Sequence, residues 1–194
     1  MSFNSVVSQR LGKLESFRTD QSSVIGKTNR GTFKVTVYSD QVIRVCATQH
    51  ADFENFSYSV IAQPLQQKIN IDDQGDHLVL KTNSIHLRIE KNPVQFCFLT
   101  SDGKIINEDD RLGISWIGEQ VTSYKKLQPG ERFIGLGEKT GDLDRRGAAY
   151  QNWNTDAYAY NKTTDPMYSS IPFYIGIHQG LCYGIFFDNT HKSY

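Results

Sequence analysis

Six carboxylates crowd one stretch of the chain: Glu131, Glu138, Asp142, Asp144, Asp156 and Asp165. Two carboxyl groups about 5 to 10 Å apart across a sugar-sized cleft can serve as acid and nucleophile, or acid and base, in glycoside cleavage. Spacing along an irregular segment does not set such a distance, so no catalytic pair is assigned. Asp142, Asp144 and Asp165 read as turn caps or as partners of Arg145 and Arg146. Glu138 and Lys139 read equally well as structural partners. Asp156 differs in its surroundings, the run WNTDAYAY from Trp153 to Tyr160. An aromatic face beside amide, hydroxyl and carboxylate groups suits a sugar ring: its C–H face packs on the arene while its hydroxyls donate to the carboxylate. The same residues also suit a packed aromatic loop, and both readings stand at this point.

Other motifs fail on spacing or context. Gly135-Leu136-Gly137 with Gly141 imitates a dinucleotide fingerprint, but the third glycine falls one position late. The following LDRRGAAYQNW opens no amphipathic helix to receive a pyrophosphate. Gly26-Lys27-Thr28 has the end of a phosphate-binding loop, yet Gln21 stands where its first glycine is required. His50, His77, His86, His178 and His191 form neither an HExxH motif nor a Cys/His quartet, so no metal site is expected. No Ser, Cys or Thr lies in a GxSxG context. Cys46, Cys97 and Cys182 are odd in number, far apart and set in apolar runs, which predicts reduced thiols within strands.

The elements that must position these groups are strands. Phe33, Val35 and Val37 alternate with Thr32, Lys34 and Thr36, and Ser39-Asp40-Gln41 turns the chain into a second strand, Val42 to Ala47. Leu78/Leu80, Ile85/Leu87/Ile89 and Val94/Phe96/Phe98 continue the period of two. Thr82-Asn83 and Ser101-Asp102-Gly103 supply turn chemistry between them. Two further strands flank His178-Gln179-Gly180. About eight to ten strands with few helix signals predict an all-β fold, an antiparallel β-sandwich or barrel. The first ~20 residues suit either a short helix or a leading strand. Gly135 to Ser170 breaks the alternation and is dense in Gly, Asp, Asn and Tyr. Long segments of that kind are functional or disordered, and Trp153 with Tyr150, Tyr158, Tyr160 and Tyr168 argues for an ordered functional loop.

Composition sets the outer bounds. In 194 residues, 21 Lys+Arg balance 21 Asp+Glu, which removes the electrostatic case for a nucleic-acid or polybasic membrane partner. No apolar run reaches the ~18 residues of a transmembrane helix, and the first residues hold no uninterrupted apolar core of a signal peptide. With free thiols, this leans to a cytoplasmic location. Asn55-Phe56-Ser57 and Asn161-Lys162-Thr163 are glycosylation sequons that matter only in a eukaryotic secreted protein.

FIGLGEKTGDLDRRGAAYQNWNTDAYAY, followed by TDPMYSSIPFYIGIHQGLCYGIFFDNT, resembles the N-terminal region of glycoside hydrolase family 31. These are α-glucosidases, α-xylosidases and related retaining enzymes. The likeness covers about Phe133 to Tyr194, with GLGEKTG, DRRG, WNTDAY, SIPF and YGIFFDN in the family's order. Residues before about 130 are similar only in style. The resemblance implies a galactose-mutarotase-like β-sandwich across 1–194, with 135–170 as an irregular substrate-pocket loop, ahead of a (β/α)8 barrel carrying both catalytic aspartates. Such a barrel takes about 250 residues, so no catalytic residue is expected before Tyr194, and the segment alone is expected to be inactive. The same resemblance makes Asp156 a sugar-hydroxyl ligand, supported by Trp153, Asn154, Thr155 and Tyr158. It gives Asp144, Arg145 and Arg146 the task of holding the loop or a domain interface. The expected partners are an α-linked oligosaccharide or glycoside and the barrel of the same polypeptide, with no cofactor or metal. A non-catalytic carbohydrate-binding module is the competing class, and a purely structural domain a third.

Overall fold

The computed structural model describes residues 8–53 and 56–194. Asn55 of the first sequon lies outside them. Among the described residues every regular element is a strand, and every pairing is antiparallel. The chain divides into two compact units.

The first unit, residues through Phe56 together with Ile61–Lys126, holds eleven strands. They are β1 (Gln9–Arg10), β2 (Leu14–Asp20), β3 (Ser23–Thr28), β4 (Gly31–Ser39), β5 (Val42–Thr48), β6 (Ile71–Asp73), β7 (His77–Lys81), β8 (Ile85–Lys91), β9 (Val94–Thr100), β10 (Ile105–Ile117) and β11 (Gln120–Lys125). A four-stranded sheet runs β2-β3-β4-β5. A seven-stranded sheet runs β1-β10-β9-β8-β7-β6, with β11 also on β10. The described residues near the N-terminus are therefore strand, not helix. The total exceeds expectation because pieces as short as β1 and β6 carry no alternation to read.

One core lies between the two sheets. The inward positions of β3 and β4 (Val24, Phe33, Val35, Val37) meet Leu78, Leu80, Leu87, Ile89, Val94, Phe96 and Trp116 of the larger sheet. The Phe33 and Phe96 rings meet edge to face, 5.4 Å between centroids, an arrangement worth about 0.5–1.5 kcal/mol beyond the area it buries. Gly26, opposite Phe33 on β3, leaves the space that ring occupies, since a Cβ there would lie 2.3 Å from it. The two turns read from sequence bond to each other: the Thr82 hydroxyl donates to the Asp40 carbonyl at 2.6 Å, and Asn83 Nδ2 to Asp40 Oδ2 at 2.8 Å. Where β10 shifts register, the buried Asp109 carboxylate accepts from Lys125 Nζ at 2.6 Å and from the Phe96 N–H at 2.9 Å. These observations make the first unit an antiparallel β-sandwich.

The second unit, Ser57–Val60 with Leu127–Tyr194, is built on a three-stranded sheet ordered β12 (Arg132–Gly137), β13 (Ser170–His178) and β14 (Leu181–Phe186). Between β12 and β13 the chain forms no strand, only one isolated bridge from Asn152 to Ser193. The first three residues of the expected irregular stretch, Gly135–Gly137, finish β12 instead.

Candidate functional site

The loop 138–169 starts from a distortion. Gly135, Leu136 and Gly137 all have positive φ (121°, 70° and 77°), and the β12–β13 register shifts there. A Cβ on Gly137 would sit 2.5 Å from the Ser169 carbonyl oxygen, so only glycine allows the backbones this close. Leu136 holds a left-handed conformation that a leucine rarely adopts. The GLG triplet is thus a kink that sends the chain out of the sheet, which explains the dinucleotide-like spacing without a dinucleotide.

Lys139, two residues on, is the loop's anchor. Its side chain is wholly buried, and its ammonium donates to the Gln151 carbonyl, to Asp165 Oδ1 at 3.1 Å and to Ser170 Oγ at 3.4 Å. The other Asp165 oxygen accepts the Gln151 N–H at 2.5 Å. Asp165 therefore pairs with Lys139 and not with Arg145 or Arg146. An ammonium stripped of water needs three acceptors, and this loop converges three on it.

The DRRG residues hold the loop to β12. Asp144 Oδ1 accepts the Phe133 and Arg146 N–H groups, each at 3.1 Å, and the Arg145 N–H donates to the Phe133 carbonyl at 2.7 Å. Those bonds close the outer edge of β12 at Phe133. They also hold the Asp144 carboxyl below its ordinary range: the Phe133 N–H does most, then the Arg146 N–H, with Arg132 and Arg146 adding attraction. Arg145 donates to the Thr140 and Asp142 carbonyls, and its guanidinium lies over the Tyr150 ring, 5.3 Å from the centroid. Arg146 donates to the Gln128 and Glu131 carbonyls. Both arginines thus take backbone carbonyls, because planar multi-donor groups can staple several turns at once.

Glu131 is buried and engaged. Its carboxylate accepts the Gln128 N–H at 2.8 Å and the Tyr183 hydroxyl at 2.7 Å, with His178 Nε2 at 3.8 Å. Nearby Tyr174 meets Phe133 edge to face, and burial, with a smaller push from Glu131, raises its phenol to about 12.

The WNTDAY segment has its backbone fixed and its polar ends free. The Thr155 N–H donates to the Met167 carbonyl at 2.9 Å, the Ser170 hydroxyl to the Trp153 carbonyl at 3.2 Å, and the Ser170 N–H to Asn154 Oδ1 at 2.7 Å. Met167, almost fully buried, and Ala157 are the apolar side chains the loop turns inward. Asn154 is therefore committed to structure on its oxygen. Trp153 is 49% exposed and Tyr158 93% exposed, and Asp156 is exposed as well. The Trp153 indole N–H, the Asp156 carboxylate and the Tyr158 hydroxyl have no hydrogen-bond partner among the described residues. Thr155 is half-buried. Asn161 of the second sequon closes its own turn, its Oδ1 accepting the Thr163 N–H and hydroxyl.

Trp153, Asn154, Thr155, Asp156 and Tyr158 lie on one segment held at Trp153, Asn154 and Thr155, while Asp144, Arg145 and Arg146 hold the loop to β12 and the turn before it. The Lys139–Asp165 pair, Met167 and the Glu131–Tyr183 bond were not read from sequence. A lysine two residues after the GLG kink was the available signal for the first. No group of three or more His, Cys, Asp or Glu among the described residues could hold a metal ion.

The profile of the glycosyl hydrolase 31 N-terminal galactose mutarotase-like domain matches residues 32–194. The chain is 26% identical over 186 residues to alpha-glucosidase 2 of Bacillus thermoamyloliquefaciens, covering 94% of this chain and 24% of that enzyme. It is 40% identical over 94 residues to an alpha-glucosidase of Saccharolobus solfataricus, covering 47% of this chain and 13% of that one. Among solved structures, a GH31 dextranase of Flavobacterium johnsoniae complexed with isomaltotriose superposes with a TM-score of 0.88 at 31% identity. That match covers 95% of this chain and 23% of the dextranase. The chain thus spans about a quarter of the length of alpha-glucosidase 2 and of the dextranase.

Proposed function

The chain belongs to the glycosyl hydrolase 31 family as its N-terminal galactose mutarotase-like domain, and from that membership we propose that it forms one wall of the substrate pocket of a retaining α-glycosidase. The observation that carries the reading is the free and exposed set Trp153, Asp156 and Tyr158 on a segment held by hydrogen bonds at Trp153, Asn154, Thr155 and Ala157. A ligand-binding segment needs rigid support and unspent hydrogen-bonding capacity, and this loop has both.

The Asp156 carboxylate accepts hydroxyls of the terminal sugar, a charge-assisted contact that fixes the ring's orientation. Trp153 offers an aromatic face to the C–H side of the ring, and Tyr158 covers its rim. The two carboxylates that break and re-form the glycosidic bond belong to the remainder of the polypeptide, so this segment alone is inactive. The α-glucosidase relatives and the isomaltotriose-bound dextranase support an α-linked glucoside as substrate.

The parent enzyme, incubated with maltose, isomaltose and α-xylosyl and α-galactosyl substrates, tests this by proton NMR of the first product. Release of the α-anomer from a glucoside is the expected result. Release of the β-anomer, or no hydrolysis of any α-glycoside, would overturn it. Maltose binding by the 194-residue chain alone would instead favour a stand-alone binding module.

A further inference from the structure

Residues 153–157 hang from residues 167–170. The Ser170 hydroxyl donates to the Trp153 carbonyl at 3.2 Å, the Ser170 N–H to Asn154 Oδ1 at 2.7 Å, and the Thr155 N–H to the Met167 carbonyl at 2.9 Å. The fourth tie is the Tyr168 hydroxyl, which donates to the Ala157 carbonyl at 2.9 Å. Asp156 takes no part in these ties, and a bonded neighbour stands on each side of it. A peptide group is planar, so a bond to one of its atoms orients the whole unit. The Thr155 N–H and the Ala157 carbonyl are therefore two fixed points, and the Asp156 side chain leaves the chain midway between them. The strap that supplies them is itself rooted. Met167 is almost fully buried, and the Ser169 carbonyl accepts the Glu138 N–H at 2.7 Å beside the close approach of Gly137. The Tyr168 ring also meets the Tyr160 ring edge to face, 6.4 Å between centroids. Between the Ala157 tie and that ring contact, Ala159 has a φ of 55°, a left-handed conformation that persists in a residue with a Cβ only where its surroundings hold it.

We propose, on the reading of Asp156 as a substrate ligand, that Tyr168 is its positioning residue: the phenol hydroxyl holds the Asp156 backbone, and with it the carboxylate, in place for the sugar. Of the ties that flank Asp156, the one at Thr155 is backbone to backbone, whereas the one at Ala157 depends on this single side chain. Losing it frees the chain on the far side of Asp156 up to the turn at Ala159, while the near side stays fixed. A side chain that reads a ligand must be held within about 0.5 Å of its productive place. On a half-anchored segment the carboxylate would be ordered at the expense of substrate-binding energy. The Tyr168 hydroxyl is already committed to Ala157, so its effect on substrate passes through Asp156. Its ring is 43% exposed, and a direct contact of that ring with sugar would act whether or not Asp156 is present. The two roles separate on that ground.

The test is a double-mutant cycle in the full-length enzyme: parent, Tyr168→Phe, Asp156→Ala and the pair, with kcat and KM measured on maltose and isomaltose. Tyr168→Phe keeps the ring and its contact with Tyr160 and removes only the hydroxyl. It is expected to lower kcat/KM about three- to tenfold, the worth of one neutral hydrogen bond. In the Asp156→Ala background the same substitution is expected to change kcat/KM by less than about twofold, because the group it positions is gone. Equal losses in the two backgrounds would overturn the proposal and give Tyr168 a contact of its own. An unchanged kcat/KM for Tyr168→Phe beside an impaired Asp156→Ala would overturn it as well. Amide hydrogen exchange of the ligand-free enzymes supplies a readout without substrate. Exchange across 154–158 is expected to quicken in Tyr168→Phe while β3 and β4 keep the parent's rates. If Asp156→Ala leaves kcat/KM unchanged, the reading of Asp156 as a substrate ligand falls, and quickened exchange still upholds Tyr168 as the tie that holds the segment. Unaltered exchange across 154–158 overturns that tie whatever the kinetics show.

Discussion

Lys139 Nζ and Asp165 Oδ1 meet at 3.1 Å across 26 residues of sequence, and the lysine side chain has no solvent exposure. The pair ties the residues that leave β12 to those that enter β13. The segment bearing Trp153 and Asp156 is suspended between these two ends. Lys139→Met would leave the Asp165 carboxylate without its cation in a largely buried position. Breaking such a pair from one side costs about 3–5 kcal/mol. Urea unfolding should show that loss, and limited proteolysis should cut within 140–168. An unchanged midpoint and an uncut loop would contradict the anchoring role.

Gly26 and Phe33 predict a coupled pair in the sandwich core. Gly26→Ala puts a methyl into the ring and should destabilise by about 1–3 kcal/mol. Combined with Phe33→Leu, the two effects should sum to less than their separate costs, because the smaller side chain vacates the clash. Strict additivity in thermal unfolding would remove this account of Gly26.

Asp144 sets an acid-side dependence. Its carboxyl is held below the ordinary range, chiefly by the Phe133 N–H and then the Arg146 N–H, so its ionised form favours the folded state. That contribution is complete above the unfolded value of about 4 and disappears as pH falls through the lower folded value. Asp144→Asn should therefore lose less stability than the parent between about pH 5 and pH 2. Parallel stability curves for the two proteins would contradict it.

Tyr174 sets the alkaline counterpart. Burial, then Glu131, raises its phenol to about 12, so the neutral form favours the fold. The contribution is intact below the unfolded value of about 10 and is lost as pH rises from there through the folded value. Tyr174→Phe should flatten the stability loss between about pH 10 and pH 12. It should also remove a phenolate step that titrates above the ordinary tyrosine range. A late step that persists in the variant would assign it to another tyrosine.

What could be read from sequence follows from how local each signal is. Phe33, Val35 and Val37, or Leu87 and Ile89, declare their strand by alternation, and their burial follows. β1 and β6 are two and three residues long, too short for a period. The WNTDAY segment stood out by residue type, since aromatic, amide and carboxylate groups rarely cluster by chance. The partner choices behind it did not, because Lys139 could meet any of several aspartates. Only the closure of a 26-residue span selects Asp165. Asn154 is the instructive middle case. Its type suggested sugar contact, but its oxygen is already bonded to the Ser170 N–H at 2.7 Å.

The central claim is that Asp156 is a substrate ligand on a preorganised wall, and steady-state kinetics of Asp156→Ala in the full-length enzyme test it most directly. Because the carboxylate makes no bond that holds the loop, the variant should keep the parent's thermal stability. A charge-assisted hydrogen bond desolvated by substrate is worth about 1.5–3 kcal/mol. The account therefore predicts that kcat/KM on maltose and isomaltose falls by roughly tenfold or more. Unchanged kcat/KM across α-glucosides, in a variant as stable as the parent, would contradict it.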